Sequence, residues 1–233
     1  MLSFLAAAAL ASSSSHILAQ GSVDPEVTAA VGRANNNPDI ESVSKEANTT
    51  GNKFASNQIA LNASNVRALV KGLADAIINK PSAPAPATPV DPNRIENKAD
   101  EIGEVAAFVQ GGLMQNLGFK NFKKARALTL AVLQSALATA KMNPALLADK
   151  VVQDVAGSVA LTIRLSTSVS NKMERRLKNY LILKAKSVAG AARKRQVVAG
   201  LKGGFRGDQL RYEDGNKDDL STVSDPETDF RNI

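Results

Sequence analysis

The chain has 233 residues, 29 Lys and Arg against 22 Asp and Glu, a net charge of +7, no cysteine, no tryptophan, one histidine and 4% aromatic residues. This length suits one domain or one and a half, and the absence of cysteine excludes a small disulfide-stapled scaffold. An apolar fraction made mostly of Ala, Val, Leu and Ile, with so few aromatics, suits packed helices better than a sandwich or barrel, and the fold class is read as all-α.

Residues 1–19 have the form of a secretory signal peptide: the apolar run Leu2–Ala11, small polar residues, then Ile17-Leu18-Ala19 as a cleavage context before Gln20. Ten apolar residues are too few to span a bilayer. The sole histidine, His16, falls inside this leader. The processed chain is then expected to contain neither His nor Cys. That would exclude Ser-His-Asp and Cys-His catalysis, zinc fingers, and His- or Cys-ligated zinc and haem. No cofactor and no metal site are expected, and the chain is read as non-enzymatic and extracellular.

Residues 20–79 read as a polar N-terminal segment with short helices. Asp24-Pro25-Glu26 is a helix start, with Asp as N-cap and Pro in the first turn; this helix should end before residues 35–39, NNNPD. Residues 39–63, polar and interrupted by Gly51, predict broken or mobile helix. From Ser64 the stripe Val66, Leu69, Val70, Leu73, Ile77 predicts a one-sided amphipathic helix. Two sequons, Asn48-Thr49-Thr50 and Asn62-Ala63-Ser64, make Asn48 and Asn62 candidate N-glycan acceptors in a secreted chain.

Residues 80–92, KPSAPAPATPVDP, form a Pro-rich linker that should be extended, in polyproline-II form. Residues 93–203 follow as a basic helical bundle of about four helices. The first carries Ile95, Ile102, Val109 and Leu113 and is weakened at its end by Gly111-Gly112. The second runs from about Asn121 to Lys141. The third starts at Asn143-Pro144, carries Leu147 to Ile163, and bends or breaks at residues 166–171. The fourth covers roughly 172–202, and GGFRG, residues 203–207, ends it. The remainder, within a tail placed at 204–233, is acidic and expected to be disordered. No repeat of fixed period is evident.

The charge is partitioned: residues 21–119 carry net −3, residues 120–206 net +15 and residues 207–233 net −5. A field of that density attracts anions. The candidate anion-binding residues are Lys123, Lys124, Arg126, Arg175, Arg176, Lys178, Arg193, Lys194 and Arg195. The partners they imply are an anionic lipid surface, an anionic glycan or an acidic protein face. Nucleic acid fits less well, since Tyr180 and Phe205 alone are available for stacking in the C-terminal part of the block and no nucleic-acid motif is present. Lys194-Arg195 before Gln196 also resembles a dibasic processing site, and a cut there would release the acidic tail, which by its charge could mask the basic helix.

Weaker patterns point to chemistry without completing it. Asp214 to Asp225 has part of the ligand spacing of a calcium loop but lacks its glycine and bidentate glutamate. Ser42 and Lys45 match S-x-x-K without its companion motifs. Asp100, Glu101 and Glu104 could place two carboxylates on one helix face, but first-turn acids are favoured by the helix dipole alone.

A secreted, cysteine-free helical chain with a Pro-rich spacer resembles effector-type proteins of filamentous pathogens, although the Arg-x-Leu-Arg motif of the oomycete group is absent. The reading is therefore a secreted, effector-like helical protein that binds an anionic surface or partner. The alternatives are a structural or assembly protein of an extracellular matrix or cell wall, with possible self-association, and a carboxylate-based enzyme. Silk terminal domains share the Ala, Leu, Gln and Ser flavour, but need neighbouring repeats that this chain lacks.

Overall fold

The computed structural model describes residues 22–79, 93–140 and 148–207. The leader, the Pro-rich linker, the Asn143-Pro144 helix start, the calcium-loop-like stretch and the acidic tail lie outside the described residues. Among the described residues there are α-helices and one 3-10 turn, and no strand.

The first helix, α1 (Pro25–Asn36), starts as the sequence requires: Asp24 Oδ1 accepts from Glu26 N at 2.9 Å, with Pro25 in the first turn. The expectation of broken helix over 39–63 is corrected. Ile40–Ala55 is one 16-residue helix, α2, capped by Asp39, whose Oδ1 accepts from Ser42 N at 2.9 Å. Its apolar residues are sparse, but Val43, Ala47 and Phe54 are fully buried on one side, and Gly51 lies buried within it. Gly51 is a site of close helix approach here, and so does not break the helix. Next comes α3 (Ala63–Asn79), whose buried residues include the predicted stripe Val66, Leu69, Val70, Leu73 and Ile77.

Helix α4 (Asn93–Gln115) continues through Gly111-Gly112, and a 3-10 turn (Leu117–Lys120) leads into α5 (Phe122–Ala140). Helix α6 (Ala148–Leu165) stops where the break was expected. The single fourth helix is also corrected. Residues 171–206 form two helices, α7 (Asn171–Ala189) and α8 (Lys194–Arg206), separated at Gly190 with φ of 88°. Gly203 and Gly204 lie inside α8, which ends one turn later at Gly207, in the left-handed region with φ of 82°. The described part of 93–207 thus holds five helices where about four were expected.

The helices pack as two rows. One row is α1, α3, α5, α7 and the other is α2, α4, α6, α8, each helix against the next of its row. Contacts within a row run in register: Asp24 meets Asn65 and Val31 meets Gly72, while Gly51 meets Gly112 and Ala156 meets Gly200. Helices within a row are therefore parallel, and the rows are stacked helical hairpins in the manner of an α-solenoid. The repetition is architectural, with unequal helix and loop lengths, which is why no sequence period exposes it. One hydrophobic core, from Val27 to Phe205, runs through both rows and joins α1–α3 to the helices after the linker.

The even row is held unusually close. A Cβ at Gly112 would lie 2.3 Å from the Gly51 carbonyl, one at Gly103 2.8 Å from Ser158 Oγ, and those at Gly200 and Gly204 2.2 Å from the carbonyl oxygens of Gln153 and Gly157. At Gly103 the obstacle is a side-chain hydroxyl; at Gly112, Gly200 and Gly204 it is backbone, and only a residue without Cβ permits those approaches. Across the rows, Gln110 Nε2 donates to Thr129 Oγ1 at 3.3 Å, joining α4 to α5.

Candidate functional site

Because the rows run antiparallel to each other, one end of the molecule collects the C-termini of α2, α4, α6 and α8 with the N-termini of α1, α3, α5 and α7. Three loops lie side by side along this edge: 56–62, 116–121 and 166–170. Asn116 links the first two. Its Nδ2 donates to Phe54 O at 2.6 Å and Asn57 Oδ1 at 2.9 Å, while its Oδ1 accepts from Gly118 N at 2.8 Å. Asn57 takes a left-handed backbone, φ 60°, which its short side chain tolerates. Ser168 Oγ donates to Met114 O at 3.0 Å and so ties the third loop to the second.

The charge of this edge is one-sided. Residues 52–66, 115–126 and 202–207 contain no acid, and residues 164–178 contain only Glu174. Glu174 is already engaged by Arg164 at 3.4 Å. Towards the α1 corner Glu26 is engaged as well, by Lys53 at 2.7 Å and Arg33 at 3.1 Å. The Lys53 and Arg33 hydrogen bonds lower its carboxyl from its ordinary value, and those of Glu46 and Glu26 raise the Arg33 guanidinium above its own. The opposite ends of α2 and α6 carry Asp39, Glu41 and Asp149, where the helix dipole favours acids, and Asp100 and Glu101 lie about two turns into α4.

The sequence-predicted basic residues do not form one cluster. Arg126 of α5 and Arg176 of α7 do meet. The Arg176 guanidinium lies 3.9 Å above the Phe122 ring, and that of Arg126 lies 5.6 Å from Phe122 and 5.2 Å from Tyr180. Phe122 and Tyr180 stack edge to face at 6.3 Å. These contacts lock two cations in place through their π-faces while leaving their charge uncompensated. Lys123 and Lys124 stand on the first turn of α5; with Gly118 and Asn121 they line an open depression of about 570 Å³. Arg175 is exposed and Lys178 half-buried on α7.

Arg193, Lys194 and Arg195 lie at the far end of α7, about 20 Å along it from Arg176 at 1.5 Å per residue. Arg193 Nε faces Asp149 Oδ1 at 3.4 Å, so this cation serves the α6–α8 contact. The dibasic bond after Arg195 sits in the first turn of α8, beside buried Val197 and Gly200. Processing is favoured at exposed loop tips, so a cut here would require that turn to unwind.

The other candidates are placed as follows. Asn48 is exposed on α2, but the Thr50 of its sequon is fully buried. Asn62 is exposed, and its Oδ1 caps α3 by accepting from Asn65 N at 2.9 Å, an arrangement that leaves the amide nitrogen free for a glycan. Ser42 Oγ accepts from Asn37 Nδ2 at 2.7 Å. Glu104 Oε1 accepts from Ser44 Oγ at 2.9 Å, a link between α2 and α4. Among the described residues no group of three or more His, Cys, Asp and Glu could hold a metal, and no helix is long and apolar enough to cross a membrane.

Sequence reasoning missed Lys120, Arg164 and Arg206 as members of the basic edge, and Asn116 as its organiser. The signal was the lack of acids in alternate loops, which becomes meaningful only when those loops share one end. Compared with known proteins, the chain matches no family, no curated protein and no solved structure.

Proposed function

We propose that this chain is a secreted, non-enzymatic helical protein that binds an anionic surface or partner through its basic helices. One observation carries the reading: α7 and α8 with their flanks, residues 171–207, hold eleven basic residues and one acid, and that acid is turned to Arg164 of α6. Such a concentration of like charge raises the energy of the folded state. Contrast the other end of the stack, where Arg33 and Lys53 of α1 and α2 are matched by Glu26 and Glu46. The absence of His and Cys downstream of the leader supports a binding role over a reactive one.

The test is retention on heparin and on anionic vesicles over a salt series. Binding is expected at low ionic strength and should weaken steeply as salt screens the charges. The double variant K172E/R175E reverses two exposed cations that touch nothing essential to the core. At about 1 kcal/mol per basic residue near an anionic surface, it should weaken vesicle binding by about tenfold or more. Wild-type affinity in that variant, or retention indifferent to salt, would exclude the proposal. Secretion is tested separately: mass spectrometry of culture medium should recover the chain beginning near Gln20.

A further inference from the structure

The basic edge has a second property that charge alone does not require. Leu117, in the 3-10 turn, is 71% exposed, and Leu165, at the end of α6, is 70% exposed. Both lie on the same edge: Leu165 lines an open depression of about 490 Å³ together with Met114 and Gln115, two residues before Leu117. Each is flanked by cations, Leu117 by Lys120, Lys123 and Lys124 and Leu165 by Arg164 and Lys172.

A single exposed leucine is ordinary. Two on adjacent loops, on an edge where Glu26 and Glu174 are already ion-paired and Asp24 is spent on capping α1, form a different pattern. The loops are fixed side by side by the Asn116 and Ser168 hydrogen bonds, so the leucines project from a rigid base. A basic surface with protruding apolar side chains suits the boundary between headgroups and acyl chains. There the leucines leave water, and the long Lys and Arg side chains reach back to the phosphates. A sulfated glycan or a nucleic acid backbone would match the charge but offer no apolar phase to leucine.

We infer that the loop edge seats on an anionic lipid surface, with Leu117 and Leu165 inserted between headgroups and the surrounding cations on lipid phosphates. This rests on the anion-binding reading above and specifies both its partner and the contacting surface, the loop edge instead of the long face of α7. That face carries its own exposed leucine, Leu183 at 76%, about 18 Å along α7 from Asn171.

The experiment compares wild type with L117S/L165S on phosphatidylserine–phosphatidylcholine vesicles and on heparin. The two side chains are exposed, so the fold should survive, and circular dichroism confirms it. The double variant should lose about tenfold in vesicle affinity, the return of two partly inserted side chains to water, and should elute from heparin at the wild-type salt concentration. The chain has no cysteine, so L117C and L183C each accept one environment-sensitive label. The label at 117 should shift to the blue on vesicles and the label at 183 should not. Unchanged vesicle affinity in the double variant, or a shift at 183 without one at 117, overturns the inference. Wild type that binds heparin but not vesicles also overturns it and leaves the anion-binding function standing. Failure to bind either overturns both.

Discussion

Replacing Gly204 by alanine is expected to lower stability by about 3 kcal/mol, the upper end for overpacking a tight interface, with a fall in melting temperature of about 10 °C for a chain of this size. The new Cβ would lie 2.2 Å from Gly157 O, 2.8 Å from Leu161 N and 2.8 Å from Ala160 Cβ. Two of these atoms are α6 backbone and no rotamer change moves them. Relief requires α8 to withdraw from α6, which uncovers Val197, Leu201 and Phe205. Alanine does favour helix over glycine, by about 1 kcal/mol, and that gain is isolated at Gly32. It lies exposed in α1, where an added methyl would have nothing within 4 Å. G32A should therefore stabilise the chain by about 0.5–1 kcal/mol. Urea melts of the two variants measure opposite signs for the same chemical change. G204A as stable as G32A would mean that α6 and α8 are not in backbone contact.

Those glycines also show where the sequence can and cannot be read. The stripe of α3 and the Asp24-Pro25 cap are local signals, since periodicity and capping act within a few residues, and the structure follows them. Gly51, Gly112, Gly203 and Gly204 read locally as helix weakeners because a lone glycine inside a helix costs entropy. What repays that cost is a partner helix tens of residues away, and nothing local announces it. Gly190, by contrast, separates α7 from α8 with a positive φ, which marks a true break. The two kinds of glycine are identical in sequence and opposite in structural role.

The basic residues divide in the same way. Their abundance is plain, but grouping depends on which helix ends meet. Arg176 and Lys123 are more than 50 residues apart yet share an edge. Arg175 and Arg195 share a basic block but stand near opposite ends of α7. Parallel packing within each row brings alternate loops together and sends the intervening ones to the far end. Charge counted along the chain mixes the two ends, which is why the block is legible and the loop edge is not.

Asn116, 3% exposed, holds that edge together. N116A removes its donors to Phe54 O and Asn57 Oδ1 and its acceptor for Gly118 N. Gly118 N would lose its partner and Phe54 O would keep only the longer bond from Asn57 N at 3.3 Å, which should cost about 1–2 kcal/mol. N116D is the sharper test, since it keeps the shape and the acceptor for Gly118 N but turns oxygen toward two oxygens. The ionised form is opposed by burial and by both acceptors, while the protonated form can still donate to one of them. The folded-state pKa of the new carboxyl is thus raised above its unfolded value. The stability that its proton supplies is present below the unfolded pKa and lost as pH rises through the folded one. Relative to wild type, N116D should be distinctly less stable at pH 7 than at about pH 4, where carboxyls begin to take up protons. A stability gap that does not change with pH would show that residue 116 is open to water and that the three loops are not pinned together through it.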